Sequence, residues 1–255
     1  MSWQETWVTR FYGSRPGWTD GTTEFHELCR ARAGRGGKIL EVGAGPTNAT
    51  SAFLATLGEL HGLDVSDEVH GNADLTSSGV IEGDRYPFGD ATFDLVVSNY
   101  VVEHVQDAAA HLAEIARVLR DGGCYVFRTP NLVHYVALVS RLAPHSAHRR
   151  FANRLRELPA GHHEPWPTVY AMNTPASVRR HAAQAGFDVD RLDLVEKEPS
   201  YGMVARPLFL AFMAYERLVN ASGWLAPFRA NMFVVLRKRP PALAAGGEVV
   251  YGSSA

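Results

Sequence analysis

Lys38–Val65, KILEVGAGPTNATSAFLATLGELHGLDV, decides the fold, because it reads as strand, glycine turn, helix and second strand in one compact unit. Ile39, Leu40 and Val42 form the short apolar run of a strand buried on both faces of a parallel sheet. Gly43 and Gly45 bring no Cβ into the turn, so the backbone can bend sharply and come close to a ligand. Asn48 and Thr50 are both N-cap candidates for the next helix, whose apolar face is Ala52, Phe53, Ala55, Thr56 and Leu57. The second strand, Glu59 to Val65, carries Asp64 at the distance where this architecture sets an acid under a ribose. The unit predicts a nucleoside ligand.

The residues around the glycines say which kind. A dinucleotide fingerprint starting at Gly43 needs a third glycine at position 48, where the chain has Asn48. Glu41, two residues before the first glycine, repels a pyrophosphate and suits a cationic ligand, held directly or through water. EVGAGPT resembles the first motif, E/D-x-G-x-G-x-G, of the class I, seven-stranded S-adenosylmethionine-dependent methyltransferases, with Thr47 at the third glycine. Four further features follow in the family's order: Asp64, then Gly83-Asp84 at the head of GDRYPFGDATFDLV, then FDLVVSN, then LRDGG with Asp121 in place of proline.

That resemblance implies an α/β, Rossmann-like, doubly wound seven-stranded sheet, mostly parallel with an antiparallel terminal hairpin, plus a helical cap insert. It implies S-adenosyl-L-methionine as cofactor and S-adenosyl-L-homocysteine as product. The implied cofactor contacts are Glu41, Gly43, Ala44, Gly45, Asp64, Val65, Asp84, Arg85, Asn99 and Tyr100. In relatives the acid matching Asp84 accepts from the adenine amino group and the amide matching Arg85 meets the ring; a plain turn acid in a Gly-Asp loop is an equal reading of Asp84.

The chain has 255 residues, enough for one large α/β domain or a domain with a modest cap. Its 25 basic and 27 acidic residues nearly cancel and no run of five like charges occurs, so the composition predicts no nucleic-acid partner. Cys29 and Cys124 are too few for a disulfide framework or a zinc site, and a cytoplasmic location is expected. The most hydrophobic run, Met203 to Tyr215, is interrupted by Arg206 and Pro207 and is too short to span a bilayer.

Residues 1–37 form an aromatic arm in which the resemblance implies Tyr12 and Trp18 as lid candidates; the plainer reading, that its rings dock the arm on the core, is favoured for each ring singly. Phe25 and Leu28 read as core. Residues 38–239 form the main domain. The polar run after Asp64 predicts a short or irregular helix, and Val80-Ile81 a brief strand. Phe93 to Ser98 reads as the fourth strand and sets Asn99 and Tyr100 at its carboxyl end, where open α/β sheets bind ligands. A helix capped by Asp107 is expected to end at Asp121-Gly122-Gly123, before a fifth strand from Cys124 to Thr129. Thr174-Pro175 opens another helix, Phe187 to Glu196 and Asn231 to Arg237 read as the last strands, and Pro207 to Ala221 is an apolar helix that packs on the core or on a second copy in a homodimer. Residues 240–255 read as a disordered tail.

Residues 131–174 exceed what a plain sheet connection needs and are read as a cap of two helices, about 132–142 and 146–158, over an acceptor pocket. Asn131, Tyr135, Trp166 and Tyr170, with Tyr12 and Trp18, are the substrate candidates. His134, His162 and His163 are candidate bases, as is His104, although a structural role for His104 carries the larger weight. No Cys and no H-x-x-x-H pair accompanies the histidines, so no metal is expected. The resemblance then implies methyl transfer by direct displacement to a small-molecule acceptor such as a sugar or secondary metabolite, in a biosynthetic role, with oxygen favoured over nitrogen or carbon. Two other readings stand beside it: a protein of this fold that binds the cofactor without methyl transfer, and an NAD(P)-dependent oxidoreductase.

Overall fold

The computed structural model describes residues 2–83, 85–134, 167–199 and 202–240. Seven strands form one sheet: β1 Lys38–Val42, β2 Glu59–Asp64, β3 Ser77–Val80, β4 Phe93–Asn99, β5 Leu119–Pro130, β6 Phe187–Val195 and β7 Asn231–Lys238. Their order is β3-β2-β1-β4-β5-β7-β6. The first five are mutually parallel, and β7 runs antiparallel to both neighbours, so the terminal hairpin is inserted beside β5. The order reverses between β1 and β4, which opens a crevice at their carboxyl ends.

Both faces of the sheet are covered, and alternation along each strand sorts the side chains. Ile39, Leu95, Val97, Val126 and Val235 pack with Phe25, Leu28 and Leu54, from α2 (Gly21–Arg30) and α3 (Ala49–Ala55). Leu40, Val42, Val96, Phe127 and Val234 pack on the other face with Leu112, Ile115, Val178 and Ala182, from α4 (Ala108–Val118) and α5 (Pro175–Gln184). The continuous apolar runs of β1 and β4 are what a strand sandwiched between two helical layers requires.

Two boundaries differ from the sequence reading. Helix α4 stops at Val118, because buried Leu119 already pairs with Phe93 on β4; the register then shifts before Leu95 meets Cys124, and Gly122, at φ +76°, sits in that irregularity. Strand β3 begins earlier, at Ser77, because its partner is β2 from His61 onward. Between β2 and β3 the polar run forms a 3-10 turn, Asp67–Gly71.

The N-terminal arm opens with α1 (Trp3–Val8) and docks on α6 (Arg206–Asn220). Trp7, Phe11 and Tyr12 surround Phe209 with ring centroids 5.4, 6.0 and 6.4 Å away. Residues 132–134 form a turn, whereas the cap helices, the tail after residue 240, Asp84, Tyr135, His162, His163 and Trp166 lie outside the described residues.

Gly43 has φ +77° and a Cβ added there would overlap Val101 Cγ2; Gly45, at φ +53°, has only Asp64 Oδ2 at 4.0 Å. Gly43→Ala is therefore expected to cost about 1–3 kcal/mol and Gly45→Ala less, nearer the backbone term alone. Urea unfolding of the two variants checks the order.

Candidate functional site

The glycine turn is held from inside. Gly43 N–H and Ala44 N–H both donate to Leu63 O, at 2.7 and 3.1 Å, and Gly45 N–H donates to Asp64 Oδ2 at 2.9 Å. Asn48 caps α3, its Oδ1 accepting from Thr50 and Ser51 N–H at 2.9 and 3.1 Å. The amide nitrogens of Asn48 and Asn72 donate to the loop carbonyls of Ala44 and Pro46 and to Ser51 Oγ, and Asn72 reaches Gly45 O as well. A phosphate cradle needs free backbone N–H groups turned toward the ligand. Here the amides of Gly43, Ala44 and Gly45, and the first-turn amides of Thr50 and Ser51, are taken.

The loop presents acids instead. Asp64 is fixed by Gly45 N–H and by Ser66 N–H on Oδ1 at 2.9 Å, which leaves carboxylate lone pairs for hydroxyl donors. Glu41, only 2% exposed, accepts from Ser51 Oγ at 2.7 Å. Its carboxyl is pushed up to about 7, chiefly by burial, with the Ser51 bond opposing the shift and the charges of Asp74 and Asp64 adding to it. Such an arrangement attracts a cation and hydroxyl groups.

The carboxyl ends of β4 and β5 continue the site. Asn99 donates through Nδ2 to Thr50 Oγ1 at 3.1 Å and accepts at Oδ1 from Arg128 Nε at 2.7 Å. His26 Nε2 lies 3.4 Å from the same Thr50 hydroxyl, with its ring stacked on Phe53. Tyr100 adopts φ +59°, donates its N–H to Arg128 O, and its hydroxyl reaches Asn231 Oδ1 at 3.1 Å. Glu41, Gly43, Gly45, Asp64, Asn99 and Tyr100 thus come together along one edge. Ala44 is buried there, Val65 is exposed, and the Arg85 side chain points outward, facing Asp90 at 3.9 Å.

Other expected residues are placed differently. Asn131 is fully buried, with both amide hydrogens on the carbonyls of Pro227 and Arg229 at 2.8 Å, so it ties β5 to the turn before β7 instead of facing an acceptor. Tyr12 is buried too, its hydroxyl donating to Glu216 Oε2 at 3.2 Å and its ring against Trp18; burial raises its phenol, and it packs the arm where a lid was considered. His104 Nδ1 lies 3.0 Å from Pro167 O, and Tyr170 N–H donates to Glu103 O, so both pin the returning end of the insert. His134 is 3% exposed, 3.7 Å from Glu196, and burial lowers it to about 4, which makes it a poor base at neutral pH. Among the described residues no group of three or more His, Cys, Asp or Glu could hold a metal ion, and no helix is long and apolar enough to cross a membrane.

Sequence reasoning missed Thr50, Ser51, Asn72 and Arg128. Asn72 was hidden in a polar run, and Arg128 was marked only by being a charge inside an otherwise apolar strand.

Residues 40–127 match the family model described as a methyltransferase domain. The chain is 30% identical over 115 residues to a protein named probable S-adenosylmethionine-dependent methyltransferase from Mycolicibacterium smegmatis, covering 44% of each. It is 27% identical over 195 residues to the ubiquinone biosynthesis O-methyltransferase of Aromatoleum aromaticum, covering 69% of this chain and 79% of that one. The crystal structure of YcgJ from Bacillus subtilis superposes with a TM-score of 0.54 at 16% identity, covering 86% of this chain and 99% of that one. The chain spans 44%, 39% and 38% of the lengths of the first three curated relatives it matches. Over residues 40–127 the chain is thus similar to methyltransferase domains, and its sheet has the fold of that solved structure.

The raised Glu41 carboxyl has a stability consequence. Between the ordinary value, 4.5, and about 7, the folded chain holds a proton on Glu41 that the unfolded chain has lost, so this group's contribution falls as pH rises through that window. Glu41→Gln has no proton to lose. Its stability relative to the parent is expected to improve from pH 5 to pH 8 by on the order of 2 kcal/mol, read from paired urea melts.

Proposed function

We propose that this chain binds S-adenosyl-L-methionine at the carboxyl edge of β1, β2 and β4 and transfers its methyl group to a small-molecule acceptor, preferentially at oxygen. The observation that carries the reading is the glycine turn whose Gly43, Ala44 and Gly45 amides are bonded inward while Asp64 keeps lone pairs for a ligand beside buried Glu41: it suits a nucleoside that carries positive charge and lacks phosphate. Asp64 would take the ribose hydroxyls, Glu41 would act through the field it shares with Asp74 and Asp64, and Val65, Asp84 and Arg85 would flank the adenine. Asn99 and Thr50 would orient the amino-acid portion. When bound, the cofactor supplies an electrophilic methyl on a sulfonium.

The chain's own part is to hold two reactants in line and keep water out, which in well-oriented systems is worth roughly 7–11 kcal/mol. No strong general base is required, in keeping with the low basicity of buried His134 and the carbonyl contact of His104. His162, His163 and the other insert residues Tyr135 and Trp166, with Trp18 and Tyr170, remain our acceptor-side assignments. The Aromatoleum relative, named for O-methylation in ubiquinone biosynthesis, supports an oxygen acceptor.

Calorimetry with S-adenosylmethionine and S-adenosylhomocysteine is the test. Micromolar binding, about −8 kcal/mol, weakened at least tenfold in Asp64→Ala, is the expected result, with NAD(P) giving no heat. A folded parent protein that binds NAD(P) and neither sulfur nucleoside overturns the reading.

A further inference from the structure

Arg128, two residues before the end of β5, is a cation inside the protein: it is 6% exposed and its guanidinium lies between aromatic faces, 4.6 Å from the Tyr100 ring centre, 5.1 Å from Phe25 and 6.0 Å from Phe233. A guanidinium has five N–H donors in a planar fork. One goes to Asn99 Oδ1 at 2.7 Å, and the two terminal nitrogens share a single hydroxyl, Thr22 Oγ1, at the long distances of 3.4 and 3.3 Å. Among the described residues no ion pair joins it to a carboxylate, although its charge lowers the Glu198 carboxyl somewhat against the burial that raises it. Two donors are thus left over on a buried cation, which is costly unless an anion completes the site.

A glycine faces the fork. Gly21, first residue of α2, has no side chain where a Cβ would stand 3.7 Å from Arg128 Nη1. Asn99 links Arg128 to Thr50, in the first turn after the glycine loop, so the guanidinium borders the proposed cofactor site on the side away from Asp64. The acids Glu41, Asp64 and Asp74 gather at one end of the edge and this cation stands at the other, a polarity that matches a zwitterion.

We propose that Arg128 is the carboxylate receptor of this site, taking a carboxylate into the space between the first turn of α2 and the ends of β4 and β5, with Asn99 and the aromatic faces fixing the plane of the fork. The inference rests on the cofactor reading above. The carboxylate is that of the cofactor's amino-acid portion or of an acidic acceptor, and the two sources are separable.

The experiment measures, on the full chain, calorimetric binding of S-adenosylhomocysteine and of its analogue lacking the carboxylate, for the parent, Arg128→Gln and Arg128→Lys. If the cofactor supplies the carboxylate, the parent prefers S-adenosylhomocysteine by roughly 10- to 100-fold. Arg128→Gln then loses most of that ratio, and Arg128→Lys, which keeps charge without the fork, falls between and carries the test should the glutamine variant not fold. If the ratio is unchanged by the substitution, benzoate is added to protein saturated with S-adenosylhomocysteine. A melting shift in the parent that is absent in the variants assigns the carboxylate to an acceptor and sustains the receptor. Unchanged discrimination with no Arg128-dependent benzoate shift overturns it while leaving the cofactor reading intact; a parent that binds neither nucleoside overturns both.

Discussion

The site depends on where three backbone hydrogens point. Because Gly43 and Ala44 donate to Leu63 and Gly45 donates to the Asp64 side chain, the turn after β1 is locked onto the end of β2. That lock selects the chemistry. A loop of similar trace with its amides turned outward is a phosphate cradle; turned inward, it offers carbonyls and the flanking acids. The carbonyls are satisfied in turn by Asn48 and Asn72, so the loop is held from both sides, and Asp64 arrives oriented by two N–H donors.

Charge along the sheet edge is arranged with the same economy. Glu41 sits where solvent cannot reach it, close enough to Asp64 and Asp74 for their fields to oppose its ionisation, and a bound cation would relieve that repulsion. At the other end the protein tolerates a guanidinium by wrapping it in aromatic faces, whose quadrupoles attract a cation even where water is excluded. Neither group contributes as a conventional ion pair. Each is a buried charge whose best partner would be a ligand.

Much of this was legible in the residues. The apolar run of β1 and the spacing from the glycines to Asp64 predicted a nucleoside-binding strand–turn–helix–strand unit, because period and turn chemistry are local properties, whereas the seven-stranded sheet was implied by the resemblance that the ordered motifs carry. The end of α4 was misread, since a glycine pair looks like a helix stop while burial of Leu119 against Phe93 is a tertiary fact. Tyr12 and Asn131 show the same limit from the polar side: a tyrosine near a lid and an asparagine at a strand end look available in sequence, and only the fold reveals Glu216 and the carbonyls of Pro227 and Arg229 waiting for them. Arg128 could have been suspected from its setting alone, a charge within CYVFRTP.

The place of β7 between β5 and β6 has a consequence for how the molecule is made. Among the described residues, strand β6 has no other sheet neighbour, and the outer side of β5 has none until β7 arrives. A chain emerging from the ribosome can zip its five parallel strands, yet it carries an open strand edge and an unpaired strand until residues 231–238 are synthesised. Phe233, one of the rings around Arg128, comes with that last strand. The nascent chain would therefore hold its glycine loop early and complete the opposite end of the same site last, a long-range closure that sets the pace of maturation.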